Sequence, residues 1–374
     1  MAGIYVHIPF CKTRCSYCDF YSTLESELPE RYVSAVAAEG RLRQQELDGE
    51  NVLTAYVGGG TPSQLTLEQM QRLVNRLNDT FDLSNIQEFT VEVNPDDVST
   101  RYIEGLAKLG VNRISMGVQS FVDSELRAIG RRHTALQAIK AVDDMRQAGI
   151  TNVSIDLIFG LPGQTLQSWE ASLMQAVKLR PDHISAYALS YEPGTRLWLQ
   201  RQRGEVQEAP EELSISMYDM LTQVLKNAGY EHYEISNFAL PQRHSHHNSS
   251  YWAGTPYLGL GASAHSFDGM VRRYNPADIR GYITAIERGE TCYETESLTW
   301  QEKYDEMVMV RLRTAHGIDL DEMERSFGKP ALEHFMQEAR PHLHDGRLMR
   351  TGNRMSLTAE GIMVSDAIIR DLMW

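Results

Sequence analysis

Three cysteines stand within eight residues in the stretch HIPFCKTRCSYCDFYS: Cys11, Cys15 and Cys18, spaced C-x3-C-x2-C. Thiolates are soft anionic donors, so three on one short loop point to a metal or to redox work. Structural zinc asks for four protein ligands, commonly in two pairs, and no second pair accompanies these. The remaining cysteine, Cys292, lies far along the chain. Cys15-Ser16-Tyr17-Cys18 has the spacing of a dithiol redox site but leaves Cys11 without a task. An iron–sulfur cube offers four irons, each wanting a thiolate. Three cysteines would fill three and leave one iron open to a small molecule. The spacing favours a [4Fe–4S] cluster, with zinc and dithiol chemistry as the alternatives.

A strand must deliver this loop, and other elements must face it. Short apolar or alternating runs recur at 4–8 (IYVHI), 54–60 (TAYVGGG), 88–93 (EFTVEV), 113–118 (RISMGV), 153–160 (VSIDLIFG) and 183–189 (HISAYAL). Helical patterns follow most of them, at 29–47, 66–77, 99–109, 135–148, 166–179 and 211–228. In the second, Leu67, Met70, Leu73, Val74 and Leu77 share a face, and Gly110 and Gly149 close the third and fourth. Such alternation builds right-handed βαβ units and a parallel sheet. The fold class expected is therefore α/β, a partial (β/α)6 TIM-like barrel over 1–229, since a closed barrel takes about eight units. The loops GGGTP, EVNP, GVQSF and DLIFGLPG bring polar residues to the C-terminal strand ends, where such folds bind ligands.

Beyond residue 229 the rhythm changes. A connecting region over 230–298 has extended patterns at 230–238, 257–266 and 270–275 and a helix at 276–288. Helices at 300–313 and 319–326 precede a helix–hairpin–helix pattern from 331 to 374, with Gly352-Asn353 at the turn. This is a C-terminal α+β extension ending in a winged-helix-like domain over 299–374. On its own the His-rich stretch RHSHHNSSYW reads as a solvated loop.

The formal charge of −14 argues against a broad nucleic-acid-binding face, which needs clustered Lys and Arg. No apolar run approaches the roughly 20 residues of a membrane helix, so no transmembrane anchor is expected. Residues 1–10 show no signal-peptide pattern. A cytoplasmic protein is expected, with a peripheral membrane association compatible with it.

HIPFCKTRCSYCDF on the first strand of a partial barrel resembles the radical S-adenosylmethionine (SAM) superfamily. There the open iron binds the amino and carboxylate groups of SAM, and an electron from the cluster cleaves the sulfonium. YVGGGTPSQL, VEVNPDD, ISMGVQSF, AIGRRH and IDLIFGLPGQT narrow the resemblance to the oxygen-independent coproporphyrinogen III dehydrogenase family, over nearly the whole chain. The resemblance implies Cys11, Cys15 and Cys18 as cluster ligands. It implies Gly59, Gly60, Thr61, Glu92, Gln119, Arg131 and Asp156 as SAM contacts, joined by Tyr5 and Tyr17. Arg131 suits a carboxylate, Glu92 and Asp156 suit hydroxyl or amino donors, and Gln119 is a neutral hydrogen-bonding group.

Two departures separate the chain from that dehydrogenase. Phe20 stands where the family has a fourth motif cysteine, and the first strand begins at Ile4 without a longer preceding arm. Both features, with His247-Asn248-Ser249-Ser250-Tyr251-Trp252 as an HNxxYW motif, resemble HemW-type proteins. These are regarded as haem chaperones, which pass haem to acceptors such as respiratory enzymes, and the resemblance implies an electron donor for the cluster. It implies haem binding around His247, with His244, His246, His265 and Cys292 as further ligand candidates and Arg243, Arg272 and Arg273 for the propionates. The alternative is a dehydrogenase that removes carboxyl groups from coproporphyrinogen III. Whether the chain turns over a substrate is the point on which the two readings differ.

Overall fold

The computed structural model describes residues 1–47 and 49–374. Its centre is a run of six parallel strands in sequence order: β1 (Ala2–Ile8), β2 (Val52–Gly59), β3 (Glu88–Val93), β4 (Arg113–Gln119), β5 (Asn152–Phe159) and β6 (His183–Ala188). Helices lie between them, as the alternation predicts. Three of these open with reciprocal capping boxes, Thr66 with Gln69, Thr134 with Gln137 and Thr165 with Ser168. Each box satisfies backbone amides that the first helical turn leaves bare. The apolar half of each strand's alternation packs under the helices, with Ile4, Val57, Val91, Ile114 and Ile155 buried.

The sheet does not stop at six strands. The chain after residue 229 extends it on both sides. Beyond β6 lies β8 (Asn237–Ala239), antiparallel to it, and then β7 (Glu231–Glu234), antiparallel to β8. Beyond β1 lies β9 (Tyr257–Leu260), parallel to it, then antiparallel β10 (His265–Phe267), β11 (Val271–Tyr274) and β12 (Glu294–Ser297). Twelve strands thus form one sheet, and neither edge of the parallel run is left unpaired. Strand β12 (ETES) was not anticipated, because it is exposed on both faces and has no apolar alternation. The helix expected over 276–288 begins at Ile279, where the Asp278 carboxylate accepts from the amides of Arg280 and Gly281.

A second hydrophobic core lies in the C-terminal extension, around Tyr304, Val308, Phe335, Met355 and Ile368. It joins helices Trp300–Leu312, Leu320–Phe327, Lys329–His344 and Ser365–Leu372 to a small antiparallel sheet, β13 (Ile318–Asp319), β15 (Arg354–Leu357) and β14 (Leu348–Thr351). The hairpin turns at Gly352, whose φ of 61° suits glycine. No helix of the described residues is long and apolar enough to cross a membrane.

Candidate functional site

The cysteine loop leaves β1 at its C-terminal end and has little regular structure, yet it is tied at several points. The amide of Cys11 donates to Thr23 O at 2.9 Å, and that of Thr23 to Pro9 O at 2.7 Å, which closes the neck. Midway, Ser16 N donates to Ile129 O at 3.1 Å and Leu197 N to Ser16 O at 2.7 Å. Tyr17, like Leu189, packs against the buried cluster of Ile129, Ile158 and Leu161. The three thiols, none in a disulfide, face one cavity of about 430 Å3 at the C-terminal end of the strands. That volume falls in the ordinary small-molecule range.

Eleven of the twelve residues predicted for the cluster and SAM line this cavity: Cys11, Cys15, Cys18, Tyr17, Gly59, Gly60, Thr61, Glu92, Gln119, Arg131 and Asp156. Cys11 Sγ lies 3.5 Å from Thr61 Oγ1. Arg131 sends Nη1 toward Cys15 Sγ at 3.5 Å and donates from Nη2 to Asn94 Oδ1 at 2.8 Å and to the Gly117 carbonyl. Glu92 accepts from Tyr56 OH at 2.7 Å and from Gly59 N at 3.1 Å. Asp156 accepts from Ser115 Oγ at 3.4 Å and from Ser185. Burial pushes Glu92 up to about 7 and Asp156 up to about 6, against the donors each has gathered. Burial also raises the Cys11 thiol and pushes Cys18 up to about 11.

Gln119 ends β4 with φ 68°, a left-handed conformation, where the register with β5 slips between Gly117 and Gln119. A slip of this kind bends a strand and re-aims a side chain, here into the cavity. Gly59 and Gly60 serve the chain itself. A Cβ on Gly59 would fall 2.5 Å from the His7 ring, and one on Gly60 would fall 2.8 Å from the Pro9 carbonyl carbon. The glycines let the end of β2 press against the root of the cysteine loop.

Tyr5 and His247 do not line the cavity. Tyr5 OH pairs with His7 Nδ1 at 3.0 Å, and its ring lies 6.1 Å from Tyr56. His247 belongs to a helix, His246–Trp252, not to the solvated loop the sequence suggested. This helix crosses the N-terminal ends of the strands. Glu88, at the start of β3, accepts from Ser245 Oγ at 3.2 Å and from the amides of His246 and His247 at 2.9 Å each. His247 is fully buried, with Nδ1 at 2.9 Å from Thr54 Oγ1 and Nε2 at 2.8 Å from Tyr251 OH. With both nitrogens engaged, it offers no free lone pair to a haem iron. Among the other candidates, His244 pairs with Glu231 at 2.8 Å and Cys292 packs against the main core. Arg243 pairs with Asp182, Arg272 with Glu306 and Arg273 with Asp268.

Sequence reasoning missed Tyr56, Asn94, Arg113, Ser115, Ser185 and Asn248, which share the cavity. Arg113 is 1% exposed, donates from Nη1 to Thr90 Oγ1 at 3.4 Å, and its Nε has no partner among the described residues. The signal was present: in RISMGVQ the inward set reads Arg113, Ser115, Gly117, Gln119. Polar residues at alternate positions of a strand otherwise buried mark a polar interior.

Comparisons with known proteins agree with this geometry. The family model of the radical SAM superfamily matches residues 5–176, and that of the HemN C-terminal domain matches residues 298–364. The chain is 33% identical to a Bacillus subtilis protein named heme chaperone HemW, over 98% of both chains. It is 34% identical to the Lactococcus lactis protein of the same name, over 99% of this chain and 96% of that one. It is 30% identical to a Danio rerio protein named radical S-adenosyl methionine domain-containing protein 1, mitochondrial, over 100% and 87%. The fold matches the solved coproporphyrinogen III oxidase HemN of Escherichia coli with a TM-score of 0.87, at 24% identity, over 100% of this chain and 90% of that one. The parallel sheet with three thiols at its C-terminal end is that of a radical SAM protein. Within that superfamily, the chain belongs to the HemW family.

Proposed function

We propose that Cys11, Cys15 and Cys18 hold a [4Fe–4S] cluster, that the adjoining cavity takes SAM, and that the protein binds haem and hands it to acceptor proteins such as respiratory enzymes. The observation that carries the reading is the placement of three thiols at one end of a cavity whose wall also presents Glu92, Gln119, Arg131 and Asp156. The donor set fits the cofactor. Soft thiols flank the mouth, and a guanidinium beside Cys15 balances thiolate charge. When bound, the cluster supplies an electron and SAM a cleavable sulfonium. The chain's own part is to hold and orient. Arg131 is placed to receive a carboxylate, and Glu92 and Asp156 to accept hydroxyl or amino donors. The haem assignment draws on full-length relatives named heme chaperones. We place the protein in the cytoplasm, served by an electron donor and meeting membrane-bound acceptors at the membrane surface.

The test is anaerobic reconstitution followed by haem titration, with a parallel coproporphyrinogen III turnover assay. The expected result is about four irons per chain, stable haem binding and no porphyrin product. Robust oxidative decarboxylation would replace this reading with the dehydrogenase one.

A further inference from the structure

We propose that His265 is the axial ligand for haem, on the face of the sheet extension that continues the barrel interior. The proposal rests on the haem-binding reading above and adds where the haem sits. Among the described residues, the imidazoles with no hydrogen bond to a ring nitrogen are His246, His265 and His316; the others are engaged by side chains or carbonyls. His246 starts the helix at the N-terminal end of the barrel and stacks on no aromatic ring among the described residues. His316 sits in the C-terminal extension near the positive charges of Arg354 and Arg311.

His265 differs in what surrounds it. It is exposed, and its ring stacks on Tyr274, 5.6 Å away at 27°. Strand register places the rest. Tyr5 pairs with Gly259, so Tyr257 of β9 lies on the barrel's interior face. Phe267 pairs with Tyr257 and with Arg272, and His265 pairs with Tyr274. Side chains directly opposite share a face. One face therefore carries Tyr257, Phe267, Tyr274, Arg272 and His265, all at least partly open. The other face is closed: Leu258, Leu260 and Ser266 are buried, and Ser266 Oγ receives Arg43 Nη2 at 2.9 Å.

A metalloporphyrin asks for three things: flat apolar surface for the ring, a neutral imidazole for the iron, and cationic groups for the propionates. This face offers all three. Partial desolvation and then the nearby Arg272 lower the His265 pKa, which favours the neutral imidazole. Arg272 is now held by Glu306 of the C-terminal extension. A propionate would exchange with that carboxylate, so seating haem would loosen one tie between sheet and extension.

The experiment titrates haem into the full chain and into His265→Ala, His246→Ala and Arg272→Gln. Expected are wild-type affinity and spectrum for His246→Ala, and unchanged spectrum with weakened affinity for Arg272→Gln. His265→Ala should bind roughly tenfold more weakly or worse and lose its imidazole-ligated Soret and EPR signatures. Added imidazole should restore those signatures in His265→Ala. Equal affinity and spectrum in His265→Ala and wild type would overturn the ligand assignment alone, as would a failure of imidazole to restore them. A wild type that retains no haem would overturn the haem-binding reading, and this proposal with it. His265 is exposed and its ring forms no hydrogen bond, so cluster iron content should stay unchanged in His265→Ala and report an intact fold.

Discussion

The two ends of the barrel use similar residues for opposite ends. At the N-terminal end Glu88, His183 and His247 have found protein partners, while among the described residues Arg113 Nε, Asn152 Oδ1 and Trp252 Nε1 have not. Glu88 caps the helix over the floor with three accepted bonds. His247 bridges Thr54 and Tyr251, and His183 bridges Ser154 at 2.8 Å and Tyr233 at 2.7 Å. At the C-terminal end the inventory does not close. Arg131 Nε and Ser16 Oγ lack protein partners among the described residues, three thiols face open cavity, and two carboxylates are held near neutrality. Buried polar groups that satisfy one another close a structure, whereas groups short of partners are suited to a ligand. Histidine count alone does not separate the two ends; the state of each ring nitrogen does.

Removing a thiol should give the largest effect, and only at the top. Cys15→Ala should abolish cluster assembly, read as iron and sulfide content, while leaving far-UV circular dichroism unchanged. Cys292→Ala should retain full iron. If Cys15→Ala kept its iron, the top would not be the cofactor end. The floor should respond in the opposite manner. Glu88→Ala strands two amides and a hydroxyl in a buried setting and should cost about 3 kcal/mol in urea unfolding of the metal-free chain. It should leave the thiols as reactive as before.

The pH dependence of stability sharpens the contrast further. Glu92 has a folded pKa raised to about 7, above its ordinary value of 4.5. The folded state therefore holds more protons than the unfolded one between those values, and stability from this group falls as pH rises through them. His247 is depressed to about 3 from 6.5 by burial, then by Arg113. Its contribution is fully present above 6.5 and is lost as pH falls toward 3. Across pH 4.5–6.5 the two slopes oppose each other, each about 1.4 kcal/mol per pH unit at most. Glu92→Gln should make stability rise more steeply with pH in that window, and His247→Gln should make it rise less steeply or fall. Equal slopes in both variants would show that the groups titrate as they do in the unfolded chain.

The sequence displayed the top of this molecule better than its floor. Cysteine spacing and polar strand ends are local signals, so the six parallel strands and the three thiols could be read from them, while the other eight predicted cavity residues came from the resemblance of the ordered motifs to a family. The floor depends on contacts distant in sequence. Glu88 caps a helix 157 residues away, a partner no window of sequence reveals. His247 looked like part of a solvated loop because its neighbours are polar, yet helix 246–252 turns that ring inward. Tyr5 pairs in register with the cavity-lining Tyr56 yet does not line the cavity itself, because a strand's period fixes which face a residue takes, not which pocket it reaches. Arg113 was legible in its alternation but was passed over, since one charge in a strand does not announce whether it faces solvent or interior. The β9–β12 face escaped notice because it exists only once register is known.

The smallest expected effect tests the loop itself. Phe20 follows Cys18 by two residues, so spacing alone would admit it to the ligand series. It is 64% exposed, and its contact with the loop is through its carbonyl, which accepts from Arg14 Nη2 at 3.4 Å. Phe20→Ser should therefore change stability by no more than about 0.5 kcal/mol and leave iron content unaltered. Phe20→Cys should add a thiol that labels readily in the reconstituted protein, because Phe20 lines the cavity rim but is largely exposed to solvent and is not drawn onto the cluster. A protected thiol in Phe20→Cys, or a change in iron stoichiometry, would mean that the loop can turn this position inward, and that three ligands at the top are a matter of residue identity rather than of backbone geometry.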